Sequence, residues 1–383
     1  MTMIKRHKPH VLSAALLMFS MHAHAQSSVT LFGILDEGIN YTNNVGGHSA
    51  WQVAGGLLST TRWGIKGTED LGGGLHAVFD LESGFALENG QLLYGGRLFG
   101  FQSSVGLQSD SLGTLTAGRQ FDTVADTIGP LTANGSWAGF LFSHPLDNDN
   151  TDATFHVSNS VKYISPSYAG LSATAMYGFG NMAGAFARNR MYGVGLNYSY
   201  QSLSVAAVYE DLSSPGSTPG GAIATDDIGF SAANQKIYGI GVNYGIGQVT
   251  LGSVYTHVNV GQPDSSIYVG NLGLDNAHLT FDNIEVNARY SLTPAFILGG
   301  MYTYTRGGLS QGGAKQTLHW NQVGALAQYL LSKRTSVYSQ VVYQNVSGGT
   351  TGTPLDVAYI PGLSGPSSNG HQVVARIGIN HSF

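Results

Sequence analysis

A chain of 383 residues with a formal charge of −5, no cysteine and only 10% charged residues lacks the basic footprint of a nucleic-acid binder. It cannot build a disulfide framework, a thiolate metal site or a cysteine nucleophile. Its charged share lies far below the roughly one quarter of an ordinary soluble domain, so part of its surface is expected to face something other than water, yet no stretch beyond the N-terminus approaches the ~20 apolar residues of a membrane-spanning helix.

At the N-terminus Lys5, Arg6 and Lys8 precede an apolar run from Val11 to Phe19 that ends in Ala23-His24-Ala25. A cationic head, a short apolar centre and small residues at the −3 and −1 positions read as a cleavable secretory signal over residues 1–25, with the processed chain 26–383 starting at Gln26. Losing that leader makes the remainder more acidic still.

Beyond it, two-residue alternation recurs in segments of about ten residues, the period of a strand whose faces meet different media. Tyr192, Val194, Leu196, Tyr198 and Tyr200 share one face, Gly193, Gly195, Asn197 and Ser199 the other. Ile284, Val286, Ala288 and Tyr290 oppose Glu285, Asn287 and Arg289, and Val373, Ala375, Ile377 and Ile379 oppose Gln372, Arg376, Gly378 and Asn380. Roughly sixteen such segments are expected, starting near residues 28, 57, 74, 96, 113, 158, 170, 190, 203, 236, 249, 280, 295, 318, 335 and 371. Short turns (Asp70 to Gly73, Tyr244 to Gly247) alternate with long Gly/Ser/Asn/Pro stretches (Leu212 to Gln235, Gly261 to Leu279, Ser347 to Gly370). That asymmetry is the signature of a membrane barrel.

A β-sandwich also alternates, but its solvent face carries Lys and Glu, where this chain carries Gly, Asn, Ser and Thr. The expected fold is therefore all-β, a 16-stranded antiparallel transmembrane β-barrel. Closure satisfies every strand without an edge, which removes the need for disulfides, and a barrel of this size encloses water. Tyr41, Phe79, Tyr163, Tyr200, Tyr290 and Tyr329 near segment ends are candidates for interfacial aromatic girdles. Gly239-Ile240-Gly241, followed by no helix, is no phosphate cradle and is expected to relieve crowding where the wall bends.

Enzyme chemistry is not signalled. His48, His76, His144, His156, His257, His278, His319, His371 and His381 are scattered, with neither a His-x-x-x-His helix nor a Gly-x-Ser-x-Gly elbow. The run Asp147 to Asp152 superficially resembles a calcium loop but lacks its Gly and distal Glu, so a polar rim is the simpler reading. No cofactor and no metal are expected.

Three ordered segments carry a resemblance: Ser28-Val29-Thr30-Leu31-Phe32-Gly33, Arg62-Trp63-Gly64-Ile65-Lys66-Gly67-Thr68-Glu69-Asp70-Leu71-Gly72, and Gly113-Thr114-Leu115-Thr116-Ala117-Gly118-Arg119-Gln120. Together with Leu331-Ser332-Lys333-Arg334-Thr335 and the terminal Phe383, they resemble the Gram-negative general porins, particularly the beta-proteobacterial branch, over the whole processed chain. The resemblance implies a homotrimer of 16-stranded barrels in the cell outer membrane, touching lipid and lipopolysaccharide and passing small hydrophilic solutes, with the barrel-assembly machinery reading Phe383. It also implies that a long third loop, here Phe121 to Phe155, folds into the lumen. Basic wall groups would face acids on that loop across a transverse field. Arg62 and Arg119 match the basic wall; Phe101 and His156 stand where Arg is common, and Arg97 and Lys162 are candidate replacements. The acids on offer are Asp122, Asp126, Asp147, Asp149 and Asp152. A constriction His156 implies a pore more anion-preferring at pH 5 than at pH 8. Two other readings are a substrate-specific channel, marked by saturable block, and an adhesin of small conductance. A plugged, energy-coupled transporter is disfavoured because the first strand starts close to the expected cleavage site.

Overall fold

The structure is a computed structural model and describes residues 27–383, so the expected leader and cleavage site lie outside the described residues. One sheet of 17 segments closes on itself. Its strands are β1 Ser28–Val45, β2 in two pieces, His48–Gly55 and Arg62–Gly72, β3 Leu75–Gly84, β4 Gln102–Ser109, β5 Gly113–Gln120, β6 Val157–Ile164, β7 Leu171–Gly178 and β8 Arg190–Tyr200. They continue as β9 Leu203–Ser213, β10 Asn234–Ile246, β11 Val249–Gly261, β12 His278–Ser291, β13 Phe296–Gln311, β14 Ala314–Leu330, β15 Thr335–Gly348 and β16 His371–Ser382. All neighbours are antiparallel, and β1 closes the barrel by pairing with β16 from Ile34↔Ser382 to Thr42↔Val374. Both pieces of β2 pair with β1, so the count is the expected sixteen.

Most strands begin within a few residues of their expected starts. Two do not. Residue 57 falls in the break of β2, where residues 56–61 leave the wall because Asp36 holds them inward: its carbonyl accepts from the Gly56 amide (2.9 Å) and the Thr61 hydroxyl (2.9 Å), its carboxylate from the Leu58 amide (3.1 Å). Residue 96 lies in the second long loop, and β4 starts at Gln102.

The outward face carries the apolar stripe. Val194, Leu196, Tyr198 and Tyr200 are exposed on β8, and Ile284, Val286 and Tyr290 on β12, while Glu285 and Asn287 are buried on the inner side. Tyr163, Tyr200, Tyr290 and Tyr329 are exposed at the short-turn ends. At the other end Tyr41 packs against Trp51, ring centroids 5.0 Å apart.

Toward the long-loop end the polarity inverts. On β11, Val254, Val258 and Val260 are buried inside, whereas His257 points out and bonds Asp282 of β12 (2.7 Å). The expectation of a polar inner face fails here because loops fold into the barrel and need an apolar bed: loop residues Val124, Ile128, Leu131, Leu146, Phe230 and Leu272 form one core with wall residues such as Val254, Val258, Phe281 and Trp320. Removing that area from water drives the loops inward.

Candidate pore constriction

Loop 3, between β5 and β6, is the main inward element. It opens with helix α1, Thr123–Thr127, capped by Asp122, whose carboxylate accepts from the Val124 and Ala125 amides. The helix lies against Gly193 and Gly195 of β8, where any Cβ would run into the Thr123 and Thr127 hydroxyls. These inner glycines therefore serve close approach of loop to wall, a different purpose from the bending expected of strand glycines. Further along, inward-facing amides grip loop carbonyls. Gln235 donates to the Asn148 oxygen (3.0 Å), Gln322 to that of Ser143 (2.9 Å) and Gln340 to that of Ala138 (2.5 Å).

The loop is also pinned by a buried ionic cluster. His144 Nδ1 lies 2.7 Å from Asp149 and its Nε2 3.1 Å from Glu285 of β12, with all three side chains closed to solvent. Burial alone would lower the His144 pKa, but the two carboxylates outweigh it and push it up to about 10. Asp149 also accepts from the Thr256 hydroxyl (2.5 Å), and Glu285 from the Ala133 amide (2.8 Å).

Three expected constriction acids are thereby corrected. Asp122, Asp147 and Asp149 are buried within loop 3 or against β11 and β12 and do not face the basic wall, because the loop's own amides and hydroxyls consume their oxygens. Asp147, for example, accepts from the Asp152 and Thr154 amides (both 3.2 Å) and the Thr154 hydroxyl (2.7 Å). Burial raises the carboxyls of Asp122 to about 7 and Asp147 to about 6. Asp152 and Asp126 do reach open space, both lining the larger cavity.

The basic groups divide differently from expectation. Lys162 pairs with Asp126 (2.5 Å), the sole ion pair among the described residues that joins the expected wall to a loop 3 acid. Arg62 pairs along the wall with Glu82 of β3 (2.6 Å) and stacks over the Phe101 ring (4.6 Å). Arg119 is withdrawn from the lumen: it is buried, donates to the Gly100 carbonyl (2.6 Å) and Ser158 hydroxyl (3.0 Å), and is ion-paired with Asp227. Arg97 pairs with Asp226 (2.8 Å).

His156 requires a correction as well. It is fully buried in a cage of Tyr94, Phe101 and Phe121, ring centroids 4.8, 5.5 and 4.8 Å away. Neither ring nitrogen has a hydrogen-bond partner, the Asp227 carboxylate lies 3.9 Å from Nδ1, and burial outweighs that carboxylate and pulls the pKa below its ordinary value. Sequence reasoning missed Glu82, Asp226, Asp227 and the inward Arg289, which has no carboxylate within ion-pair distance among the described residues. Asp226 and Asp227 had a signal: they are the only charges between residues 214 and 235.

Two cavities share Asp126 along the barrel. One, of about 1050 Å³, opens toward the long loops and is bordered by Arg62, Tyr94, Trp137, Asp152, Tyr268 and Arg289. The other, of about 620 Å³, lies toward the short turns and is bordered mainly by neutral polar groups such as Gln102, Ser104, Thr116 and Asn197, with Lys66 and Asp80.

A family model described as Gram-negative porin matches residues 12–349. An outer membrane porin protein of Bordetella pertussis is 38% identical over 231 residues, 54% of this chain and 60% of that protein. Outer membrane porin protein 32 of Delftia acidovorans is 34% identical over 184 residues, 45% of this chain and 50% of that protein. The alignments thus span half to three fifths of these relatives' lengths. The solved structure of an anion-selective porin from Comamonas acidovorans superposes with a TM-score of 0.69 over 93% of this chain and all of that one, at 22% identity, a likeness of fold.

Proposed function

Because the chain belongs to the Gram-negative porin family, we propose that it is an outer-membrane channel for passive diffusion of small hydrophilic solutes and ions, and not an enzyme. The observation that carries this reading is the pair of cavities, lined by charged and neutral polar groups beside apolar ones, that share Asp126 inside a closed barrel. An apolar outer face between aromatic ends suits the hydrocarbon layer, and polar outward groups such as His257 and Asp282 suit the headgroup side, including lipopolysaccharide. The narrow region is bordered by Arg62, Lys162 and Asp126, with Arg289 facing the outer cavity; Arg97, Arg119 and His156 act behind or above it. A homotrimer is part of the proposal. Purified protein in a planar lipid bilayer under a KCl gradient is expected to give stepwise openings in groups of three; silence from folded protein would turn the reading toward an adhesin.

With His156 closed off from the lumen in its aromatic cage, the wild-type protein and His156→Phe are expected to have equal reversal potentials at pH 5 and again at pH 8. A shift seen only in the wild type would restore the histidine to the pore.

Phe383 is proposed as the residue read during assembly. Its amide and carbonyl pair with Gly33 (3.0 and 3.1 Å) and its ring covers that glycine, so it also finishes the seam. Deleting Phe383 is expected to lower folded protein in the outer membrane several-fold, while urea-unfolded protein still refolds into detergent. Loss of refolding in detergent as well would make its role structural alone.

A further inference from the structure

Loop 5, residues 214–233 between β9 and β10, is a folded part of the barrel interior. Ala222 and Ile223 are fully buried with Phe155, Val157, Met176, Met191 and Leu212. The Ser158 amide donates to the Ala222 carbonyl (2.7 Å), and buried Asn189 binds Ile223 through both its amide (3.1 Å) and its carbonyl (2.9 Å). A turn follows, closed by the Asp227 amide on the Ala224 carbonyl (3.2 Å). It sets Asp226 against Arg97 (2.8 and 3.1 Å) and Asp227 against Arg119.

We propose that loop 5, through Asp226 and Asp227, sets the ion selectivity of this channel by neutralising the wall arginines Arg97 and Arg119. This rests on the channel reading above. Two features make loop 5 and not loop 3 the source of the compensating charge. Of the loop 3 acids, Asp126 alone reaches an expected wall cation, Lys162, and three others are buried away from the wall. The loop 5 acids, by contrast, are the sole charges of a neutral segment and both land on arginines. Fixed charges beside a confined pore act with little screening. An Arg119 stripped of Asp227 would keep its Gly100 and Ser158 acceptors, and so its place, while its charge became uncompensated. As folded, Arg62, Arg97, Arg119 and Lys162 each carry an acid partner, so loop 5 removes the charge of two arginines that stand behind the lining, while Arg289 faces the larger cavity without a carboxylate partner among the described residues.

The test is the reversal potential of wild type, Asp227→Asn, Asp226→Asn and the double variant Arg119→Gln/Asp227→Asn under a KCl gradient, with barrel folding checked by heat-modifiable gel mobility. Asp227→Asn is expected to raise the chloride-to-potassium permeability ratio about twofold or more, and Arg119→Gln/Asp227→Asn to return it to the wild-type value, a reversal that mere loop loosening would not produce. Should Asp227→Asn fail to fold, Asp226→Asn at the more exposed pair reads the same effect for Arg97. Conducting variants with the wild-type reversal potential overturn the role of loop 5. Silent wild-type bilayers overturn the channel reading and this one with it.

Discussion

Replacing His144 with Ala will release the middle of loop 3 from the wall while leaving the barrel closed. The imidazole is the cation between Asp149 (2.7 Å) and Glu285 (3.1 Å), all buried, and removing one member of a buried ionic group costs about 3–5 kcal/mol because its partners stay desolvated and unpaired. The Gln235, Gln322 and Gln340 clamps contribute only about 1 kcal/mol each, so the segment around Ser143–Asn150 cannot keep its seat. Hydrogen exchange should show lost protection there with β-strand amides unchanged, and single-channel current should become larger and noisier. Unchanged protection of loop 3 would sink the idea.

The same cluster sets a pH dependence. His144 has a folded pKa of about 10 against about 6.5 when unfolded, so its stabilising share is complete below about 6.5 and is lost as pH rises through 10. Asp122, raised to about 7 by burial, works in the same direction over a lower window: its share is complete below about 3.9 and gone above about 7. Asp149 is lowered despite its burial, chiefly because His144 faces it, so its share is lost instead as pH falls through that lowered value. Loop 3 amides, corrected for the base-catalysed rise in intrinsic exchange, are accordingly expected to be less protected at pH 10 than at pH 6, and in the His144→Ala variant the step above pH 7 should vanish.

The strands were legible because period-two alternation depends only on which side each residue faces, and a wall between two media writes that on every strand. Loops are not written that way. Asp226 and Asp149 carry the same carboxylate, yet one reaches Arg97 and the other His144, a choice made by which loop folds where. The resemblance points to Arg62 and Arg119 as the basic wall of the constriction, but Arg119 is buried with its charge cancelled by a loop whose composition, Gly, Pro, Ser and Thr, reads as a plain surface connection. His156 is misread for a related reason: its cage is assembled from Tyr94 and Phe101 of the loop before β4 and Phe121 of loop 3, which only the fold brings onto it. Gly239 and Gly241 read as wall-bending residues because nothing in β10 itself reveals Ile128 and Leu131 of loop 3, which lie on them.

Replacing Arg376 with Leu is expected to lower the temperature at which the folded barrel loses its compact gel mobility more than any single surface change. Arg376 is 1% exposed and sits on β16, where it binds Asp36 (3.2 Å) and Asn40 (2.8 Å) of β1 and the Tyr338 hydroxyl (2.8 Å) of β15; Tyr338 in turn donates to Asp36 (2.9 Å). This is the seam between first and last strands, which no hairpin turn can hold in register and whose closure carries the largest loop entropy. Hydrophobic alternation alone resists a one-residue slip, but here the slip would also turn a guanidinium toward lipid, at about 2–4 kcal/mol. The single variant leaves Asp36 buried without its cation, a loss of about 3–5 kcal/mol, while Arg376→Leu/Asp36→Leu should recover part of it, since apolar replacement of both members of a buried pair is often tolerated. Recovery should stay incomplete, because Asp36 also holds the inward bulge through the Leu58 amide (3.1 Å). A single variant melting with the wild type would mean that backbone pairing from Ile34 to Thr42 suffices to close the barrel.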